Sequence, residues 1–352
     1  MPIGATVTAG LATQLEKERH TVSFDSYDIT VKQLLDMIES RAIDIAPDYQ
    51  RQFIWDEKRQ SLFVESVLLG IPIPSLFMAT NKDSTWELVD GVQRISTLIN
   101  FCGTDDMRRR INSKQALCLC DLEKLTTFNA CEYTSLPKSI QLAFLLRPIR
   151  VTTLNDKSDL RVRFDLFERL NTGGVRLQPQ EIRNCIFRGP FNEALKELTR
   201  DSSFRKVVKV KTGSENNGTR EEFVLRFLAF YDGYQTFDHS VDGFLNAYMG
   251  DRYNHPPASD RMRAFAETFA FLKTALPNGI VRFGRHSLTP VNLYEAVAVG
   301  TALALKTKAR LKGNVLVALL DSDELTALTS AGTNSRKMVK GRIELVRDRL
   351  VG

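Results

Sequence analysis

The chain has 352 residues, 43% apolar and 26% charged, the balance of an ordinary globular protein with core enough for about two or three domains. Its formal net charge of +6 permits nucleic-acid contact without demanding it. It shows no basic-then-apolar leader and no apolar run of membrane-span length. Its five cysteines, set in apolar runs, form no disulfide framework, so a soluble, cytoplasmic protein with buried reduced thiols is expected.

Residues 1 to about 20 carry little pattern beyond a short helical stretch ending in Glu16-Lys17-Glu18-Arg19-His20. Thr30 then caps a helix with Val31, Leu34, Leu35 and Ile38 on one face. Ile43-Asp44-Ile45 alternates as a strand, Pro47 interrupts it, and Tyr49-Gln50-Arg51 follows. Asp56 caps a second helix that closes at Gly70, with Trp55 either in the core or stapled to the first turns. Residues 76–79 and 85–89 read as a hairpin around Asn81-Lys82-Asp83-Ser84.

The second strand of that hairpin delivers the chain to Asp90-Gly91, and from Val92 the residues Ile95, Leu98 and Ile99 recur at helical spacing. A strand, a glycine turn and a helix start bring unpaired backbone N–H groups and the positive end of a helix dipole to one point. That point suits an anion. Asp90, Gln93 and Arg94 set a carboxylate, an amide and a guanidinium around it, groups that hold a metal, orient a water and clamp a phosphate. The plainer reading of Asp-Gly at such a junction is a turn and nothing more.

Further along, Leu136-Pro137 opens a helix, residues 148–154 form a β-branched strand, and residues 159–170 are strongly helical. Arg169-Leu170-Asn171-Thr172-Gly173-Gly174 combines a helix stop with a loop that favours anions. Gln178-Pro179-Gln180-Glu181-Ile182-Arg183-Asn184 starts the next helix. After residue 190 helical periodicity takes over, in residues 191–198, 221–231, 241–249, 261–275, 289–305 and 335–350. The polar stretch between Arg205 and Arg220 reads as an exposed loop, and Asn254-His255-Pro256-Pro257 as a hinge or linker. Lys206, Lys209, Lys211, Arg336, Lys337, Lys340 and Arg342 are either a DNA-facing set or ordinary solvated charge. The sequence contains no P-loop, no Rossmann glycine fingerprint, no cysteine–histidine zinc set and no internal repeat.

Taken in order, Pro47-Asp48-Tyr49-Gln50-Arg51, Glu65-Ser66, Pro72-Ile73-Pro74, Asp90-Gly91-Val92-Gln93-Arg94 and the series from Arg169 to Arg183 resemble the N-terminal domain of GmrSD-type, modification-dependent restriction endonucleases. The same order resembles the ParB/sulfiredoxin fold more distantly. The resemblance implies an α+β architecture: an N-terminal extension over 1–25, a ParB/sulfiredoxin-like nucleotide-binding domain with a small mixed sheet over 26–190, and an all-helical domain over 191–352. It also implies a pocket for an NTP and Mg²⁺, with Asp90 on the metal and Asp90, Gln93 and Arg94 as the catalytic set. Tyr49, Gln50, Arg51, Gly91, Asn171, Gly173, Gly174, Glu181 and Arg183 would surround the nucleotide.

Two departures bear on activity. The family turn usually reads Asp-Gly-Gln-Gln-Arg, and Val92 here removes one amide, so nucleotide binding is expected to outlast fast hydrolysis. No His-containing nuclease motif follows, which implies a nucleotide-handling half that works with a nuclease or other effector in trans. The expected function is therefore an NTP-binding, NTP-hydrolysing module of a DNA-directed defence system. A non-enzymatic DNA-binding or adaptor protein that uses the pocket as a ligand switch is the alternative, and a ParB-like DNA nickase ranks third. The residues leave open a homo-oligomer, the base preference, the DNA recognised and the effector.

Overall fold

Leu76-Phe77-Met78-Ala79-Thr80 and Trp86-Glu87-Leu88-Val89-Asp90 are rich in strand-forming residues and flank a short polar turn, so they fold back on one another. A computed structural model of the chain describes residues 11, 24–45, 55–81, 83–155, 164, 178–211, 217–282, 288–307, 309–330, 332 and 334–352. In it the two segments are antiparallel strands β3 (Leu76–Thr80) and β4 (Trp86–Asp90), preceded by β1 (Phe24–Thr30) and β2 (Ile43–Asp44) and followed by β5 (Pro148–Leu154). The turn between β3 and β4 is held by Asp83, whose carboxylate accepts from the Thr85 N–H at 3.1 Å and its hydroxyl at 2.6 Å. The chain divides into two compact units, Met1–Arg176 and Leu177–Gly352.

In the first unit the five strands form one mixed sheet in the order β1-β5-β3-β4-β2. β1 and β5 are antiparallel from Phe24↔Leu154 to Thr30↔Pro148, while β5 and β3 run parallel, as do β4 and β2. The C-terminal ends of β1, β2 and β4 therefore share one edge with the starts of β3 and β5. Two helices begin on that edge: α1 (Val31–Glu39) directly after β1 and, one residue after β4, α3 (Val92–Cys102). Between them in sequence lies α2 (Glu57–Leu69), and after them come the short α4 (Asp105–Arg110) and α5 (Lys138–Leu145). Thr30 caps α1 by accepting from the Gln33 N–H at 3.1 Å, and Asp56 caps α2 by accepting from the Arg59 N–H at 2.8 Å. Leu34, Ile38, Val64, Ile95, Leu98, Phe101, Phe144 and Val151 meet in one buried core. Trp55 joins its margin, edge-on to Phe63 with ring centroids 5.9 Å apart.

Strand β1 was not among the expected elements. Five of its seven residues are exposed, so no in–out alternation marks it. Cross-strand pairing with β5 defines it, reinforced by Arg150 on the Asp28 carboxylate at 2.6 and 2.9 Å.

The second unit carries helices and contributes no strand to the sheet among its described residues: α6 (Pro179–Ile186), α7 (Pro190–Leu198), α8 (Ser202–Val207), α9 (Thr219–Gly233), α10 (Val241–Gly250), α11 (Ser259–Ala275), α12 (Val291–Lys306), α13 (Val315–Leu320), α14 (Asp323–Thr329) and α15 (Arg336–Val351). A small mixed sheet followed by a helical region is thus the architecture of this α+β chain. Helix α12 is buried all round from Leu293 to Ala302, and α15 packs closely against it at Gly300. A side chain at Gly300 would meet the Ile343 carbonyl oxygen and Val346 Cβ at 2.7 Å, so only glycine permits this approach. Phe204, Phe227, Phe265 and Phe269 fill the space beside it, with Phe265 and Phe269 centroids 4.5 Å apart.

Three details differ from expectation. Arg205 and Lys206 lie on α8, because Asp201 caps a helix there rather than opening a loop. Residues 254–257 are a turn joining α10 to α11 inside the second unit. Of the five cysteines, all free, only Cys185 is fully buried and Cys118 is exposed. No helix among the described residues is long and apolar enough to cross a membrane.

Candidate functional site

The junction between β4 and α3 gathers the polar groups anticipated there. Gly91 takes φ 110°, a conformation that side chains disfavour, and a Cβ at this position would collide with Leu76 Cδ2. The glycine lets β4 turn directly into α3 with no side chain capping the helix start. Asp90, at the last position of β4, is one-third exposed. Arg94 lies one turn into α3 and points back to it, its Nη2 2.5 Å from Asp90 Oδ2.

The rest of the guanidinium is also engaged. Nη1 donates to the Ser75 carbonyl at 3.0 Å and to the Pro74 carbonyl, so Arg94 fastens the start of β3 to the turn. Burial pulls Arg94 below the ordinary guanidinium value, against the opposing effect of Asp90. Asp90, four residues before Arg94, is on the same side of the junction and reaches it.

Gln93 completes the cluster by accepting from the Trp55 N–H at 3.1 Å. This bond matters for chain path. β2 runs parallel to β4, so the chain leaves β2 at Asp44 heading toward the end of the sheet that carries Asp90. It re-enters the described residues at Trp55, against Gln93. Tyr49, Gln50 and Arg51 lie between those points and outside the described residues, as do Asn171, Gly173 and Gly174. Val92, the residue that departs from the family turn, packs its side chain against the core.

Asp90 is the carboxylate available to a metal here, and its Oδ2 already serves Arg94. Among the described residues no group of three or more His, Cys, Asp or Glu side chains is arranged to hold a metal ion. One carboxylate, already engaged by Arg94, supplies too few oxygens for an all-protein metal site here.

The Glu65-Ser66 pair on α2 is engaged within the first unit. The Glu65 carboxylate is buried and accepts the N–H groups of Lys124 and Leu125 at 2.8 and 2.7 Å, while the Ser66 hydroxyl donates to the Leu62 carbonyl. Burial alone would raise the Glu65 carboxyl, but the backbone donors of the 123–125 loop outweigh it and hold it below the usual value. A depressed carboxylate stabilises the fold above its unfolded value and loses that contribution as pH falls through its folded one. Glu65→Gln should therefore cost about 1–3 kcal/mol at neutral pH. That gap should close progressively below about pH 4, which urea midpoints across pH would show. A gap that stays constant down to pH 3 would contradict the assignment.

Glu181 and Arg183 belong to the second unit, and both are buried. Glu181 Oε2 accepts the Gln178 N–H at 2.6 Å as part of a capping box. Arg183 donates to Asn246, Gln180, Glu222 and Asp242 at 2.8, 3.1, 3.4 and 2.5 Å. It opens a chain of buried charges that continues from Glu222 to Arg226, from Arg226 to Glu295 and from Glu295 to Arg342. Although burial works against its charge, Glu295 and Glu222 raise the Arg226 pKa. Sequence reasoning missed this chain. Two signals were present: Glu222 and Arg226 at i,i+4, and Glu295 as the one acidic residue inside the apolar run of α12.

Arg342 must be withdrawn from the DNA-facing set, since it is fully buried against Glu295. It occupies the stripe of Val339, Ile343, Val346 and Leu350, the core-facing side of α15. Lys206, Lys211, Arg336, Lys337 and Lys340 are exposed and Lys209 is half-buried. Arg336 also donates through Nε to the Phe237 carbonyl at 2.9 Å.

A family model described as GmrSD restriction endonuclease, N-terminal domain, matches residues 31–188. No curated protein matches the chain, and no solved structure does.

Proposed function

Residues 31–188 belong to the GmrSD restriction endonuclease N-terminal domain family, and from that premise we propose that the chain serves a restriction, or anti-phage defence, system as its nucleotide-responsive part. Its first unit binds an NTP at the β4–α3 junction. The observation that carries this reading is the convergence of an uncapped helix start, the Arg94 guanidinium and the Asp90 carboxylate within one turn of chain. Helix start and guanidinium attract phosphate oxygens, and Asp90 suits the Mg²⁺ that accompanies them. Phosphoryl transfer needs mainly positioning and charge stabilisation, so this set suffices for slow hydrolysis.

Asp90 and Arg94 neutralise one another without ligand, and this gives the proposal a signed test. Asp90→Asn should weaken Mg²⁺–NTP binding and abolish phosphate release, yet strengthen metal-free NTP binding because phosphate no longer competes with a carboxylate for Arg94. Calorimetric titration with a panel of NTPs, with and without Mg²⁺, reads all three effects. A wild-type protein that binds no NTP under either condition would overturn the proposal. A mutant whose affinities shift in the same direction with and without metal would remove Asp90 from the metal.

A further inference from the structure

The second unit contains a cavity of about 160 Å³ that is partly open to solvent. It lies where α6, α9 and α12 begin, and its lining includes Gln178, Asn217, Glu222, Phe223, Arg226 and Val291. Its size is that of one ring: an engineered apolar cavity of about 150 Å³ holds a single benzene. Its chemistry is not that of a benzene site.

Hydrogen-bonding capacity remains after the internal bonds are assigned. The Asn217 side-chain oxygen is taken by Thr219, through its N–H at 3.2 Å and its hydroxyl at 2.5 Å, which leaves the Asn217 NH₂ as donor. Arg226 directs three N–H groups to Glu222 and Glu295, at 2.9, 2.6 and 2.6 Å, out of the five a guanidinium carries. Gln178 is exposed at the mouth, and since its side-chain oxygen accepts the Glu181 N–H in the capping box, its NH₂ remains as donor. The Glu222 carboxylate, held ionised by Arg226 and Arg183 despite its burial, retains acceptor capacity. Phe223 and Val291 add apolar surface for the faces of a flat ligand.

We propose that this cavity binds a six-membered polar ring of the pyrimidine type, edge toward Asn217, Arg226 and Glu222 and substituent toward the opening. Adjacent carbonyl or ring-nitrogen acceptors meet the amide and guanidinium donors, and a ring N–H or amino group meets Glu222. Its lining residues all belong to the second unit, whereas the proposed phosphate-binding junction is built from first-unit residues. It takes the ring either from a free nucleoside or from a base displayed by single-stranded DNA.

The test uses the full chain and phosphate-free ligands, so failure at the β4–α3 junction does not affect it. Cytidine, uridine and thymidine are titrated by calorimetry, with adenosine as a two-ring control and benzene as an apolar one. A pyrimidine dodecanucleotide and its abasic counterpart form a second arm. Val291→Trp fills the cavity from a helix start that is already 38% exposed. Gln178→Leu removes one amide. The expected result is pyrimidine binding in at least one arm, reduced more than about tenfold by Val291→Trp and about threefold to tenfold by Gln178→Leu. Binding of nucleosides identifies the free source, and a preference for the pyrimidine strand over the abasic one identifies DNA. The proposal is overturned if no pyrimidine binds in either form, if adenosine or benzene binds as well as the pyrimidines, or if both variants bind like the wild type.

Discussion

Replacing Glu295 by alanine is expected to lower the stability of the second unit by about 3–5 kcal/mol, because it removes the one carboxylate that two buried guanidinium groups share. Glu295 is fully buried within α12 and receives Arg226 at 2.6 Å and Arg342 on its other oxygen. Removing Arg342 instead should cost less. Arg342→Met leaves Glu295 still compensated by Arg226 and fills the space with an apolar chain of similar length. The exposed pair Arg349–Glu324, at 2.8 Å with both side chains more than half exposed, provides the contrast: Arg349→Ala should change stability by about 1 kcal/mol or less. Urea unfolding followed by far-ultraviolet ellipticity reports mainly the helical unit, whereas both tryptophans, Trp55 and Trp86, report the first. If Glu295→Ala unfolds no more readily than Arg349→Ala, the buried chain contributes nothing to stability.

The same charge chain shows where sequence reading stops. Local signals are faithful in the first unit: Thr30 and Asp56 cap the helices they precede, Gly91 turns β4 into α3, and the hairpin forms where its polar turn directs. Each of those depends on residues a few positions apart. Strand β1 does not, since its definition comes from β5, more than a hundred residues later, and its own exposed faces carry no pattern. Arg342 and Glu65 illustrate a second limit. A charged residue read alone suggests solvent or ligand, but each of these is buried and engaged by a distant partner, Glu295 for one and the backbone of Lys124 and Leu125 for the other. Within the candidate site, proximity of Asp90, Gln93 and Arg94 follows from the turn itself. That Asp90 and Arg94 pair, and that Gln93 holds the Trp55 backbone, depends on side-chain directions that spacing leaves undetermined.

Arg94→Ala is expected to reduce NTP affinity by about tenfold to a hundredfold, the loss of a charge-assisted contact worth about 1.5–3 kcal/mol. A cation in the first turn of a helix sits at the positive end of the dipole, which is mildly unfavourable. The Asp90 carboxylate and the carbonyls of Pro74 and Ser75 offset that, so Arg94 also holds the edge of the sheet together. The substitution should therefore lower the melting temperature as well, contrary to the purely ligand-directed role that its position alone suggests. Arg94→Lys separates the two effects. An ammonium keeps a charge near Asp90 but cannot span Asp90, Ser75 and Pro74 at once as the planar fork does. Lysine should thus recover part of the affinity through its charge while recovering little of the stability. Affinities are compared well below the lowest melting temperature, where all variants are folded. If Arg94→Ala melts early yet binds NTP within twofold of the wild type, Arg94 is a fastening of the fold alone and the phosphates sit elsewhere.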